Sequence, residues 1–303
     1  MCRGRGVLCP YEGLVELGPD GRPRWTRDVR FVPEALDLPL RWTKPRRIFV
    51  NSMSDLFHEK VADEWIDRIF AVMALAHHHT FQVLTKRPER MRAYLSDPSN
   101  RPYHRILDAA NDLRRAFPRR RDSGISNPRE FPMPWVHLGV SVEDQATADE
   151  RIPLLLQTPA MIRWLSYEPA LGPVSFKDHD WTVKDYLRGT ETCQHSVRQL
   201  PGKIDWLVIG GESGPGARPF DLAWARSAIA QCRAAGVPVF MKQVGARPVL
   251  HPVGGVFADP EGWSSRVPVV LQPDGSYGVM LRDRKGGDPS EWPEDLRVRE
   301  FPR

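Results

Sequence analysis

Trp135-Val136-His137-Leu138-Gly139-Val140-Ser141-Val142 and Met161-Ile162-Arg163-Trp164-Leu165-Ser166-Tyr167, with the stretch Ala146 to Leu156 between them, decide the fold class. Both outer runs are short, continuous and β-branched or aromatic, the pattern of strands covered on both faces. The stretch between them has helical length and spacing. Working outward, the alternation repeats on both sides. Arg47 to Asn51 and Thr80 to Thr85 read as strands, with a helix over Val61 to His78 and a shorter one over Pro88 to Leu95. Ile204 to Ile209 and Val237 to Lys242 read as strands flanking a helix over Leu222 to Ala235. Strands alternating with helices predict a parallel sheet in an α/β fold, here a partial (β/α) barrel over residues 46–245. Within it, residues 97–134 look like an Arg/Pro-rich insertion, helical from Tyr103 to Phe117, and residues 170–203 a linker with little periodicity. Residues 1–45 read as an irregular arm with turn signals at Gly18-Pro19-Asp20-Gly21. Residues 246–303 read as a small C-terminal appendage with a hairpin around Gln272 to Ser276.

Parallel α/β folds place their sites at the C-terminal ends of the strands. Those ends are polar in every unit: Asn51-Ser52-Met53-Ser54-Asp55, Thr85-Lys86, Ser141-Val142-Glu143, Ser166-Tyr167-Glu168, Gly210-Gly211-Glu212 and Lys242-Gln243. Loops are polar anyway and helix caps use Ser, Asp and Thr. Charges of mixed sign, Lys86, Glu143, Glu168, Glu212 and Lys242, converging on one mouth nevertheless point to a ligand. The strongest local signal is Gly210 to Pro219, where glycines after a strand permit close backbone approach and Arg218 offers a bidentate clamp. It is neither a P-loop nor the dinucleotide fingerprint.

Other features are weaker. His77-His78-His79 closes a helix, where a role at the helix C-terminus is the default. Cys232 reads as a buried, inert helix residue. No Ser/His/Asp order stands out, and nothing resembles a nucleophile elbow.

The chain has 303 residues, 41% hydrophobic and 27% charged, which argues against disorder and a coiled coil. Proline is 29, roughly twice average usage, and the formal charge of +5 permits nucleic acid without demanding it. Cys2, Cys9, Cys193 and Cys232 are scattered without a CxxC, so a reducing, cytoplasmic setting is expected. No run of eighteen apolar residues exists, so no membrane span is expected, and the N-terminus does not read as a signal peptide.

The segments Phe49 to His58, Leu84 to Met91, Leu138 to Glu143, Ser166 to Pro169, Gly210 to Pro219 and Lys242-Gln243 together resemble a phage-associated family of uncharacterised proteins. That family looks like a divergent branch of radical S-adenosylmethionine enzymes. The resemblance implies a radical-SAM-type barrel, with S-adenosylmethionine and a [4Fe–4S] cluster expected for a full-length relative. It also implies a separate three-cysteine-motif partner protein. It puts Asn51, Ser52, Asp55, Thr85, Lys86, Ser141, Glu143, Glu168, Gly211, Glu212, Arg218 and Lys242 around the mouth as cofactor-binding residues. No catalytic residue is assigned by it.

This sequence departs from the family where its typical members carry three clustered cysteines. Cys2 and Cys9 are present, but the third expected position is Glu12. Two explanations stand: a start assigned downstream of the true one, or loss of the cluster with retention of the barrel. The completeness of the polar mouth favours the first. No cofactor and no metal is expected in the chain as it stands. The alternative reading is a nucleic-acid-associated phage protein without catalytic activity, using Arg46, Arg47, Arg87, Arg90 and Arg119 to Arg121. Its warrant is eight arginines against four acids in residues 101–135. A third is a barrel hydrolase using Glu143 and Glu168 as paired carboxylates.

Overall fold

A computed structural model describes residues 13–19, 21–96, 98, 101–116, 131–179, 183–193, 196–252 and 267–302. Six strands form one sheet: β1 (Arg47–Val50), β2 (Thr80–Thr85), β3 (Val136–Ser141), β4 (Ile162–Tyr167), β5 (Trp206–Gly210) and β6 (Val239–Gln243). All neighbours pair in parallel and lie in sequential order. Each strand falls within a residue or two of its expected place. Sequential order with right-handed crossovers puts every connecting helix on one face of the sheet. Those helices are α1 (Asp63–Leu75), α2 (Pro88–Ser96), α3 (Pro102–Ala116), α4 (Gln145–Leu156) and α5 (Leu222–Ala235).

Alternation along the strands sorts the two faces. On β2, Phe81 and Val83 are buried in the main core with α1, whereas Leu84 joins Trp164, Trp206, Val208 and Phe240 in a second apolar cluster. That second cluster lines the inside of a curl. Phe49 on β1 meets Trp164 on β4 with ring centroids 6.2 Å apart. In a flat sheet those strands would stand about 14 Å apart. Trp164 lies over Gly139 of β3, where a Cβ would come within 2.5 Å of the indole. The result is a partially closed, curled parallel sheet, a half-barrel of generic (β/α) type.

The flanking segments differ from their sequence reading. Residues 170–203, expected to be an aperiodic linker, hold an antiparallel sheet of Lys177–His179, Val183–Asp185, Thr190–Cys193 and Ser196–Gln199. Its strands are short, and Ser196–Gln199 is exposed throughout, so no apolar alternation betrays it. The arm also has structure. Val15–Leu17 pairs with Pro23–Trp25 about the predicted turn, and two short helices follow, Pro33–Leu36 and Leu38–Arg41. Phe31 stacks on Trp65 of α1 at 5.3 Å. The histidine run anchors the arm: His78 Nε2 lies 2.8 Å from the Trp42 carbonyl and His79 Nε2 3.0 Å from that of Pro39.

In the stretch read as an insertion, α3 belongs to the outer helical layer. Arg105 pairs with Asp67 of α1 at 3.0 Å. The Arg119 to Arg121 run lies outside the described residues.

The expected hairpin is present as Val269–Leu271 against Tyr277–Val279, and joins Pro248–Leu250 and Phe220–Asp221 in a small sheet. Residues 298–301 then return to the half-barrel. The Met241 amide donates to the Val298 carbonyl (2.8 Å), and the Glu300 amide to the Val239 carbonyl (2.8 Å), extending β6 antiparallel. Phe301 packs against both Trp206 (5.6 Å) and Phe240 (5.1 Å), which also touch each other, with the Arg47 guanidinium 3.7 Å over its ring.

Candidate functional site

The polar strand ends do converge, and ion pairs between them tie the end of β1 to β2, β2 to β3, and β4 to β6. Asp55, in the loop after β1, is the first tie. Its carboxylate accepts from the Thr85 hydroxyl (2.7 Å), the Lys86 amide (3.0 Å), Arg87 Nη1 (3.0 Å) and the Phe57 amide (2.9 Å). Leu56 and Phe57, in the same motif, are core residues. Arg90 of α2 donates to the carbonyls of His58 and Val61 and pairs with Asp63 at 3.1 Å. Two of the recognisable motifs therefore clasp each other.

Glu143, beyond β3, takes the next tie. Its side chain is 10% exposed and is held between Lys86 Nζ and Arg151 Nη1, the latter at 2.9 Å. Arg151 also donates to the Ser141 carbonyl at 2.9 Å. α4 is aimed here by its N-cap: Asp144 accepts from the Thr147 amide (2.9 Å) and the Thr147 hydroxyl, which hold its carboxyl below the usual range.

Glu168, beyond β4, receives Lys242 Nζ from β6 at 2.9 Å and Gln243 Nε2 at 3.2 Å. Gln243 also donates to the Gly211 carbonyl at 3.0 Å. The pair therefore spans β5, and Gly210 on that strand leaves the room: a Cβ there would lie 3.1 Å from Glu168 Cδ. At the β5 loop, Arg218 forks onto Glu212 through Nε (3.0 Å) and Nη2 (3.2 Å), and its amide donates to the same carboxylate (2.9 Å). These bonds hold Glu212 below its ordinary pKa and Arg218 above its own, and the charge of Glu143 reaches Arg218 as well.

Of the expected mouth residues, Asp55, Thr85, Lys86, Ser141, Glu143, Glu168, Gly211, Glu212, Arg218 and Lys242 are joined in this way. Asn51 and Ser52 are not. Asn51, at a left-handed φ of 58°, borders instead an apolar cavity of about 350 Å3 between the arm, β1 and α1. Ser52 is exposed at the strand end. The glycine loop also has an internal reason. A Cβ on Gly211 would lie 2.6 Å from the Val244 carbonyl oxygen, so its bareness serves a backbone–backbone approach within the protein. Sequence reading missed Arg151 and assigned Arg87 to another use. The spacing of Arg151, eight residues past Glu143 and two turns into a helix, is the signal that returns it to the strand end.

The mouth pairs leave both signs within reach of solvent. Lys86 and Lys242 are 55% and 53% exposed, while Glu143 and Glu168 are 10% and 17% exposed. A ligand with a cationic and an anionic group can take over such pairs without creating an unpaired buried charge.

The described residues do not fit an iron–sulfur cluster. No three His, Cys, Asp or Glu among them converge as metal ligands. Cys232 is enclosed in α5 and burial pushes its thiol up to about 12, far from the thiolate a cluster needs. Cys193 sits on the peripheral antiparallel sheet beside Ser196. Cys2 and Cys9 lie outside the described residues. Among the described residues no helix is long and apolar enough to cross a membrane.

No curated protein and no solved structure matches the chain. Its residues 15–261, which hold the half-barrel and every paired residue of the mouth, match one family, described as protein of unknown function (DUF5131). The chain therefore belongs to the DUF5131 family.

Proposed function

We propose that the mouth of the half-barrel binds S-adenosylmethionine, in a barrel of the radical-SAM type belonging to the phage-associated three-cysteine-motif group. The observation that carries the reading is the pairing of each nearly buried carboxylate, Glu143 and Glu168, with a half-exposed lysine, Lys86 and Lys242. The methionyl end of the ligand carries an ammonium, a carboxylate and a sulfonium. Exchange of internal for ligand pairs lets Glu168 face a cation and Lys242 a carboxylate. The nucleoside and the phage association rest on the motif resemblance. Cluster chemistry has no donor set among the described residues, so no reaction step is assigned.

The test is equilibrium binding of S-adenosylmethionine to the chain, alongside Glu168→Gln and Lys242→Met. Saturable binding weakened about tenfold in each variant is expected, the loss of one charge-assisted contact. No binding to the parent chain, or equal binding to all three proteins, would overturn the reading. Of the arginines of the nucleic-acid alternative that are described, Arg87 is held by Asp55 and Glu59, Arg90 by carbonyls, and Arg46 lies over the Trp42 ring.

A further inference from the structure

The inside of the curl has two ends, and the one opposite the mouth is built differently. There, the strand register aligns Arg47 with Thr80, and Phe49, Gln82, His137 and Ile162 in one row across β1 to β4. Alternation points Arg47, Gln82 and His137 to the concave face, away from the helices. They line a cavity of about 500 Å3 with Met161, Phe301 and Pro302.

The polar groups of this cavity are incompletely satisfied. The cations of the mouth each hold a carboxylate; Arg47 holds none among the described residues and rests on the Phe301 ring. No lining residue is acidic. His137 Nδ1 is out of solvent and without a hydrogen-bond partner. The Gln82 carboxamide likewise makes no hydrogen bond among the described residues. Burial, reinforced by the charge of Arg47, pushes the His137 pKa down to about 4, so the imidazole is neutral and offers one donor and one acceptor. Arg47 is exposed and Gln82 half-buried, so both are free to turn to a ligand that enters the cavity, while the buried His137 Nδ1 keeps the wall behind them polar. What fills the cavity must bring negative charge for Arg47, a hydrogen-bonding edge for Gln82, and an apolar body for Met161, Phe301 and Pro302.

We infer that this basal cavity is a second binding site, separate from the mouth, for a small aromatic carboxylate. The carboxylate sits on the Arg47 guanidinium and the ring lies against Met161 and Pro302, beside the exposed edge of Phe301.

The probes are benzoate and nicotinate, with benzylamine as a ring of the same size and opposite charge, titrated calorimetrically against the whole chain. Saturable binding of at least one of the two acids is expected, with a Kd below about 1 mM, level from pH 8 to pH 6 because His137 stays neutral there. Arg47→Met should weaken it at least tenfold. Because that change also loosens Phe301, Gln82→Leu provides an independent variant and should weaken binding several-fold at unchanged thermal stability. Glu168→Gln at the mouth should leave it unaltered. Absence of saturable binding by both acids, equal binding of benzylamine, indifference to both basal variants, or loss in Glu168→Gln would each overturn the assignment.

Discussion

Gly211 is hemmed in by backbone: the carbonyl of Val244 and the Cα of Gly245 lie 2.6 and 3.0 Å from where its Cβ would stand. Neither neighbour is a flexible side chain, so Gly211→Ala is expected to cost roughly 2 kcal/mol or more, read as a lowered Tm. The methyl of Gly210→Ala has the Glu168 side chain as its nearest neighbour, at 3.1 Å from Cδ. It should leave Tm nearly unchanged and instead displace Glu168, weakening ligand binding at the mouth. A stretch of adjacent glycines thus divides its work in a way that composition cannot show. His137 supplies a pH-dependent counterpart. Its folded pKa lies below the ordinary 6.5, so the unfolded chain binds the extra proton first. The stabilisation is complete above pH 6.5 and drains away as pH falls toward about 4. Since the ring keeps some contact with water, it amounts to about 1 kcal/mol. Thermal melts from pH 7.5 to 4.5 should show His137→Gln less sensitive to acid than the parent.

Among the elements, the strands of the half-barrel were legible because each is a short run rich in β-branched and aromatic residues between polar ends, even where Gln82 and His137 interrupt it, and α1, α4 and α5 because their apolar positions recur at helical spacing. The antiparallel sheet of Lys177 to Gln199 was not, since its strands are three or four mostly polar residues long and leave no period to read. The arm was misread for a related reason: its anchors are Phe31 on Trp65 and the two histidine–carbonyl bonds, tertiary contacts that no local pattern announces. At the mouth, the residue types were visible at the strand ends but their partners were not. Asp55 looked like one more ligand-facing acid, yet it brackets the loops after β1 and β2. Asp55→Asn keeps the shape but loses the charge that Arg87 answers, and should cost about 2 kcal/mol, measured by urea unfolding. The extension of β6 can be tested in the same way. Ending the chain after Val298 removes the Glu300 bonds to Val239, the Trp206 Nε1–Glu300 carbonyl bond (2.9 Å) and the Phe301 ring. A fall of about 3 kcal/mol in stability is expected, together with new binding of a hydrophobic dye to the uncovered Trp206 and Phe240.

For the whole molecule, the curl leaves the two edge strands, β1 and β6, distant in sequence and unpaired with one another. What joins them is one phenyl ring: Phe301 touches Phe240 of β6 on one side and carries Arg47 of β1 on the other. A ribosome completes all six strands before residue 301 is made. Until that residue emerges, the nascent sheet lacks that ring and presents an aromatic surface to chaperones and proteases. A chain lacking Phe301 would then keep its six strands but lose the one ring that both edges touch, and limited proteolysis should cut it faster than the parent.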